Sequence, residues 1–147
     1  MIPRTLLDLN VLIALTDPGH QHHENARRWF TSSGRKGWGI CPLTEAGFLR
    51  VTTNPAFNGG TRTMLQAIAI LQLLREYPGF SYWEIREDAS WVKVTAPFAE
   101  RILGHQQVTD AYLLGLAIKE DAVLATFDKG VVFLAGSKYH RHVLLLE

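Results

Sequence analysis

The stretch "RTLLDLNVLIAL", Arg4 to Leu15, decides the fold. A short apolar run, "TLLDL", reads as a buried strand ending near Asp8, and "NVLIALT" reads as the helix that follows it. The helix is broken by Asp17-Pro18-Gly19. An aspartate and an asparagine, Asp8 and Asn10, stand in the middle of this apolar frame. A buried carboxylate costs several kcal/mol unless something compensates it. Either the chain turns to solvent at Asp8, or a partner, a proton or a metal holds the charge.

The same alternation continues along the chain. "HHENARRWFTSS" carries Ala26, Trp29 and Phe30 at helical spacing, and "GWGIC" reads as a second short strand. "PLTEAGFLRVTTN" predicts a helix with Pro42 in its first turn and Thr44 as N-cap. "TRTMLQAIAILQLLREYPG" has the strongest helical signal and stops at Tyr77-Pro78-Gly79. "FSYWEI" reads as a further strand, and "DASWVKVTAPFAERILG" as two short helical pieces divided near Pro97. "TDAYLLGLAIKEDA" predicts a helix with Ala111, Leu114 and Ile118 on one face. "VLATFD" reads as a strand ending on a second carboxylate, Asp128, and "HVLLLE" as the last strand. Short apolar strands alternating with helices imply an α/β fold, a parallel sheet sandwiched between helices. Functional groups of such sheets gather beyond the carboxyl ends of the strands. Asp8 and Asp128 both fall there.

The 147 residues, 47% hydrophobic and 20% charged, fit one domain spanning 1–147 with a real core. The single cysteine, Cys41, cannot form an internal disulfide and reads as a small buried hydrophobe, so a reducing cytoplasm is expected. No apolar run approaches a membrane span, and polar groups arrive too early for a signal peptide. A net charge of +1 does not announce a nucleic-acid binder, though a local basic surface would suffice for one.

Of the fourteen acidic residues, most sit in polar clusters or at helix ends and read as solvated surface. Four stand in apolar surroundings: Asp8 and Asp128 after strands, Glu45 and Asp110 in the first turns of helices. Each has a local explanation, as a cap, a turn former or a complement to a helix dipole. Together, with two placed by topology on one sheet edge, they suggest a cluster. Converging carboxylates repel one another, which a hard divalent cation such as Mg²⁺ or Mn²⁺ relieves. Asn10 and Thr126 would add neutral oxygens beside Asp8 and Asp128. "HQHHE", His20 to Glu24, raises zinc, but no matched Cys/His pair follows at finger spacing. A strand-end aspartate also opens phosphatase sites of the haloacid-dehalogenase type. Those show Asp-x-Asp and Gly-Thr, whereas Asp8-Leu9-Asn10-Val11 lacks the second acid. A non-catalytic RNA- or protein-binding module stays open.

In this order and spacing, "LLDLNVLIAL", "PLTEAGFLRV", "VTDAYLLGLA" and "LATFDKGV" resemble the PIN-domain ribonucleases, above all the VapC-type toxins of prokaryotic toxin–antitoxin pairs. The resemblance runs from Thr5 to about Val131. It implies a parallel sheet between helices and metal-dependent hydrolysis of RNA phosphodiester bonds. Asp8, Glu45, Asp110 and Asp128 would be the metal-binding catalytic quartet, with Asn10 and Thr126 as supporting polar groups. It further implies an RNA substrate, a cognate antitoxin and a homodimer; the same chemistry in RNA processing, without an antitoxin, is the alternative. Arg50, Arg62 and Lys129 lie near the motifs and are candidates for RNA phosphate contact. The helix "MLQAIAILQLL" is apolar enough that part of it could face a partner.

Overall fold

The computed structural model describes residues 4–57 and 62–147. Four parallel strands run in the order β2-β1-β3-β4: β1 Thr5–Leu7, β2 Trp38–Gly39, β3 Val123–Thr126 and β4 Val143–Leu145. Helices α1 (Leu9–Thr16), α2 (His23–Ser32), α3 (Pro42–Thr52) and α4 (Met64–Leu74) come between or beside the first two strands. Then α5 (Trp91–Thr95) and α6 (Val108–Lys119) precede β3, and α7 (Lys129–Ala135) connects β3 to β4.

Strand alternation distributes the core to both faces. Leu6 and Leu124 point to one side, where they pack with α5, α6 and α7 through Val94, Leu113, Leu114 and Leu134. Leu7 and Ala125 point to the other, against α1, α3 and α4 through Leu12, Phe48 and Leu71. The result is the α/β/α sandwich expected from the alternating motifs. Its strands are apolar throughout because both faces are covered.

Register fixes where the strands end. Leu7 lies opposite Ala125, and the ladder continues as the Asp8 amide donates to the Ala125 carbonyl at 3.0 Å. Asp8 therefore leaves the sheet beside Thr126, level with the approach to Asp128.

Several elements differ from the sequence expectation. "FSYWEI" is not a strand; it makes one isolated bridge, Phe80 with Trp38. The run does follow β2, since Ser81 N donates to Trp38 O and Trp83 N to Ile40 O, both at 2.9 Å. It cannot extend into a ladder because Pro42 starts α3 almost as soon as β2 ends. The N-cap of α3 is Cys41, not Thr44. Pro42 carries the φ of a first helical residue, so the helix begins earlier and Thr44 is buried inside its first turn. Helix α6 is buried from Ala111 through Ala117 on all sides rather than on one face, because α5 and α7 pack against it as well as the sheet. Helix α7 has no counterpart in the sequence reading; only seven residues long, it gives too little periodicity to be recognised. The α4 helix does form, with Thr63 and Gln66 closing a capping box; Thr61, at the start of its quoted stretch, lies outside the described residues.

Gly79 makes the turn after α4 possible. Its φ is +83°, and a Cβ there would run into the Arg35 carbonyl. Replacing Gly79 by Ala should destabilise the fold by about 1–3 kcal/mol, from left-handed strain and that clash. Urea unfolding monitored by the tryptophans measures it.

Candidate active site at the carboxyl edge of the sheet

Asp8 is 6% exposed and caps α1, its Oδ1 accepting from the Leu9 amide at 2.7 Å. Its Oδ2 accepts from the Thr126 hydroxyl at 2.7 Å. Of the companions the sequence leaves open for this carboxylate, the fold supplies two protein donors, one to each oxygen, and each oxygen keeps further acceptor capacity. Burial is nevertheless the largest influence, and it pushes the Asp8 carboxyl above the usual carboxylate range. The two hydrogen bonds oppose that shift, and the nearby Asp128 adds to it.

Thr126 ties the edge together. Fully buried, it also accepts from the Asp128 amide at 3.0 Å and from Asn10 Nδ2 at 3.3 Å. Asn10 Oδ1 in turn accepts from the Phe127 amide at 3.2 Å. Thus Asn10 and Thr126 lie beside the two strand-end acids and clamp the β3–α7 turn to the start of α1. Asp128 caps α7 through Gly130 N at 2.8 Å and is itself exposed.

Asp110, in the first turn of α6, meets both of these acids. Burial, then the charges of Asp8 and Asp128, then hydrogen-bond contact with Asp128, raise its carboxyl to about 7. Three acids from three separate motifs thus share one field, and Asp110 keeps its proton well above the pH at which a free carboxylate ionises.

Glu45 takes a different position. Its Oε1 accepts from the Tyr82 hydroxyl at 2.7 Å, and its Oε2 lies 3.6 Å from Arg75. It is not among the charges that act on Asp8 or Asp110. Burial and then the hydrogen bond to Glu45 push the Tyr82 phenol up to about 12, so it stays a donor. Tyr82 and Arg75 were not foreseen from sequence. They follow α4 in a segment with no motif, and only the packing beside β2 brings them to Glu45.

Among the described residues, no group of three or more His, Cys, Asp or Glu side chains is arranged to hold a metal ion. The donor set still suits a hard divalent cation. Magnesium is commonly held through one or two carboxylates and its own waters, so the Asp8, Asp110 and Asp128 oxygens fit in chemistry and charge. The His20–Glu24 tract is dispersed: His22 stacks on Phe127, His23 bonds the Ala14 carbonyl, and Glu24 pairs with Arg27. Arg50 and Lys129 are exposed, Arg50 in the last turn of α3 and Lys129 at the start of α7, and Arg62 is half-buried just before α4.

Comparison with known proteins places this geometry among relatives. The PIN domain family model matches residues 5–135. The chain is 43% identical over 141 residues to Ribonuclease VapC38 of Mycobacterium tuberculosis, covering 96% of each. It is 38% identical over 123 residues to Ribonuclease VapC39 of the same organism, covering 84% of this chain and 87% of the relative. In fold it is similar to a toxin–antitoxin complex from Klebsiella pneumoniae (TM-score 0.64, 20% identity, 95% of each chain). A similar likeness holds to FitAcB from Neisseria gonorrhoeae (TM-score 0.62, 18% identity, 89% of this chain and 92% of that one).

The raised Asp110 carboxyl sets a pH dependence. In chelator, between the ordinary carboxylate value of 3.8 and about 7, the folded protein keeps a proton that the unfolded chain has released. Stability of the metal-free protein should therefore fall as pH rises through that window, with Asp8 acting in the same direction. Thermal unfolding in EDTA from pH 5 to 8 should show a falling Tm, and Asp110→Asn should flatten the profile.

Proposed function

The chain belongs to the PIN-domain family, and on that premise we propose that it is a metal-dependent endoribonuclease, the toxin of a toxin–antitoxin pair. One observation carries the reading: Asp8, Asp110 and Asp128, far apart in sequence, lie within one another's electrostatic reach at the carboxyl edge of the sheet. The likeness to VapC ribonucleases over nearly the whole chain supports it.

Asp8, Asp110 and Asp128 would hold Mg²⁺ or Mn²⁺. When bound, such an ion supplies hydroxide near neutral pH and offsets charge developing on the phosphoryl oxygens. The chain's own groups prepare the place. Thr126 fixes the Asp8 carboxylate and the Asp128 backbone and is itself held by Asn10, so two acids are oriented before substrate arrives. Asp110, whose carboxyl burial and its acidic neighbours raise in the metal-free protein, would ionise as the cation binds. Glu45, held by Tyr82, is the outer member of the set and can orient a water from the β2 side. Arg50, Arg62 and Lys129 would meet RNA phosphates around this edge.

The antitoxin would occupy an apolar groove of about 390 Å³ between α1, α2 and α4, lined by Leu15, Phe30, Trp38, Ile70, Leu74 and Tyr77. Leu73, which also lines it, is 63% exposed. An amphipathic helix suits such a groove. Among the described residues, no helix is long and apolar enough to cross a membrane. The proposed homodimer can be read by sedimentation of the same preparation.

Purified protein should cleave labelled RNA with Mg²⁺ or Mn²⁺ and not with EDTA. Asp8→Asn and Asp110→Asn should each lower the rate by roughly 10²-fold or more, and Glu45→Gln by less. Cleavage indifferent to the aspartate changes would remove the proposed site, and RNA binding without cleavage would reject the nuclease in favour of a non-catalytic binding module. A covalent phosphoaspartate at Asp8 would indicate a phosphatase instead. In a second assay, Leu73→Asp should abolish co-purification with the antitoxin encoded alongside while RNA cleavage persists.

A further inference from the structure

The segment from the end of α4 to Trp83 brings a cation to Glu45. Arg75 caps α4, and its guanidinium carbon lies 4.9 Å from the centre of the Tyr82 ring and 5.7 Å from that of Phe80. Its approach to Glu45 Oε2, at 3.6 Å, is an ion pair too long to be a hydrogen bond. The Tyr82 hydroxyl has taken the short bond to the other Glu45 oxygen. Among the described residues, none accepts a hydrogen bond from the Arg75 side chain, which has five N–H donors. The group is half in solvent, with 48% of the side chain exposed.

We infer that Arg75 binds a backbone phosphate of the RNA, seated on Tyr82 and Phe80 next to Glu45. The inference deepens the nuclease reading and rests on it. An arginine locked fork-to-fork with a carboxylate has no donors left for substrate; here Tyr82 keeps Glu45 from forming that fork. The cation–π contacts with Tyr82 and Phe80 restrict the guanidinium in advance, which lowers the entropy lost when it engages a ligand. A phosphodiester offers two non-bridging oxygens that match the two-donor fork. The site also needs a cation here, because clustered carboxylates repel the polyanion they are to cut. Fixed positive charge at the rim lets the backbone approach while the metal position stays reserved for the acids.

The test is fluorescence anisotropy of a labelled single-stranded RNA in EDTA, on the full chain carrying Asp110→Asn, across a salt series. Arg75→Gln should weaken binding roughly tenfold at low salt and reduce the slope of log affinity against log salt by about 0.7. Arg75→Lys should restore the slope but not the full affinity, because an ammonium keeps the charge and loses the fork. Arg141→Gln is the control: Arg141 pairs with Asp121 at the amino ends of the strands, on the opposite edge, and should change neither quantity. Arg75→Met, which keeps an apolar stem over the rings, replaces the Gln variant if that one does not fold. Affinity and slope equal to those of the Arg141 control would overturn the inference alone. No RNA binding by any form, the unsubstituted chain included, would overturn the nuclease reading and the inference with it.

Discussion

Everything at the functional edge depends on like charges being held together against their own repulsion. Asp8, Asp110 and Asp128 come from three parts of the chain, and each would ionise freely if left in water. Burial and mutual field hold one of them, Asp110, near neutrality, with a carboxyl at about 7. Such a cluster persists because the rest of the fold fixes its members. Asp8 is locked by a backbone amide and the Thr126 hydroxyl, Asp128 by the first turn of α7, and Asp110 by a helix buried nearly all round. A cluster that is unfavourable by itself and is held by a rigid scaffold is prepared for a cation.

The scaffold's contribution is mainly register. Because β1 and β3 are parallel and paired from Thr5–Val123 to Leu7–Ala125, their carboxyl ends are level. Within three residues of the end of β1 and of β3 a helix begins, capped by the strand-end aspartate. The same side chains thus serve as caps and as site acids: Asp8 gives one oxygen to the Leu9 amide and the other to the Thr126 hydroxyl, and Asp128 gives Oδ1 to the Gly130 amide. Thr126 is the junction, with contacts to Asp8, Asn10 and the Asp128 backbone.

Glu45 shows that one edge can hold two electrostatic environments. The three aspartates are in a field of their own kind, whereas Glu45 is in contact with a phenol and a guanidinium. The first environment would suit a metal and, on the inference drawn above, the second a polyanion. The second is built by Arg75, Phe80 and Tyr82, from a stretch that carries none of the four acidic motifs.

The sequence by itself determined the strand–helix alternation, the parallel sandwich and the four motifs, because apolar runs of strand length and caps at their ends are local signals. "TLLDLN" and "VLATFD" each showed a strand, its end and its acid within six residues. It did not determine that α6 is covered on every side, that "FSYWEI" follows β2 without joining the sheet, or that "KGVVFLA" is a helix. Those outcomes follow from what packs against each segment, which no window of residues contains. Tertiary structure alone decided which acids share a field and which does not. Charge interaction falls with distance and with solvent between the groups, and the separation of Glu45 from the aspartates is set by α3, by Tyr82 and by Arg75, not by spacing along the chain.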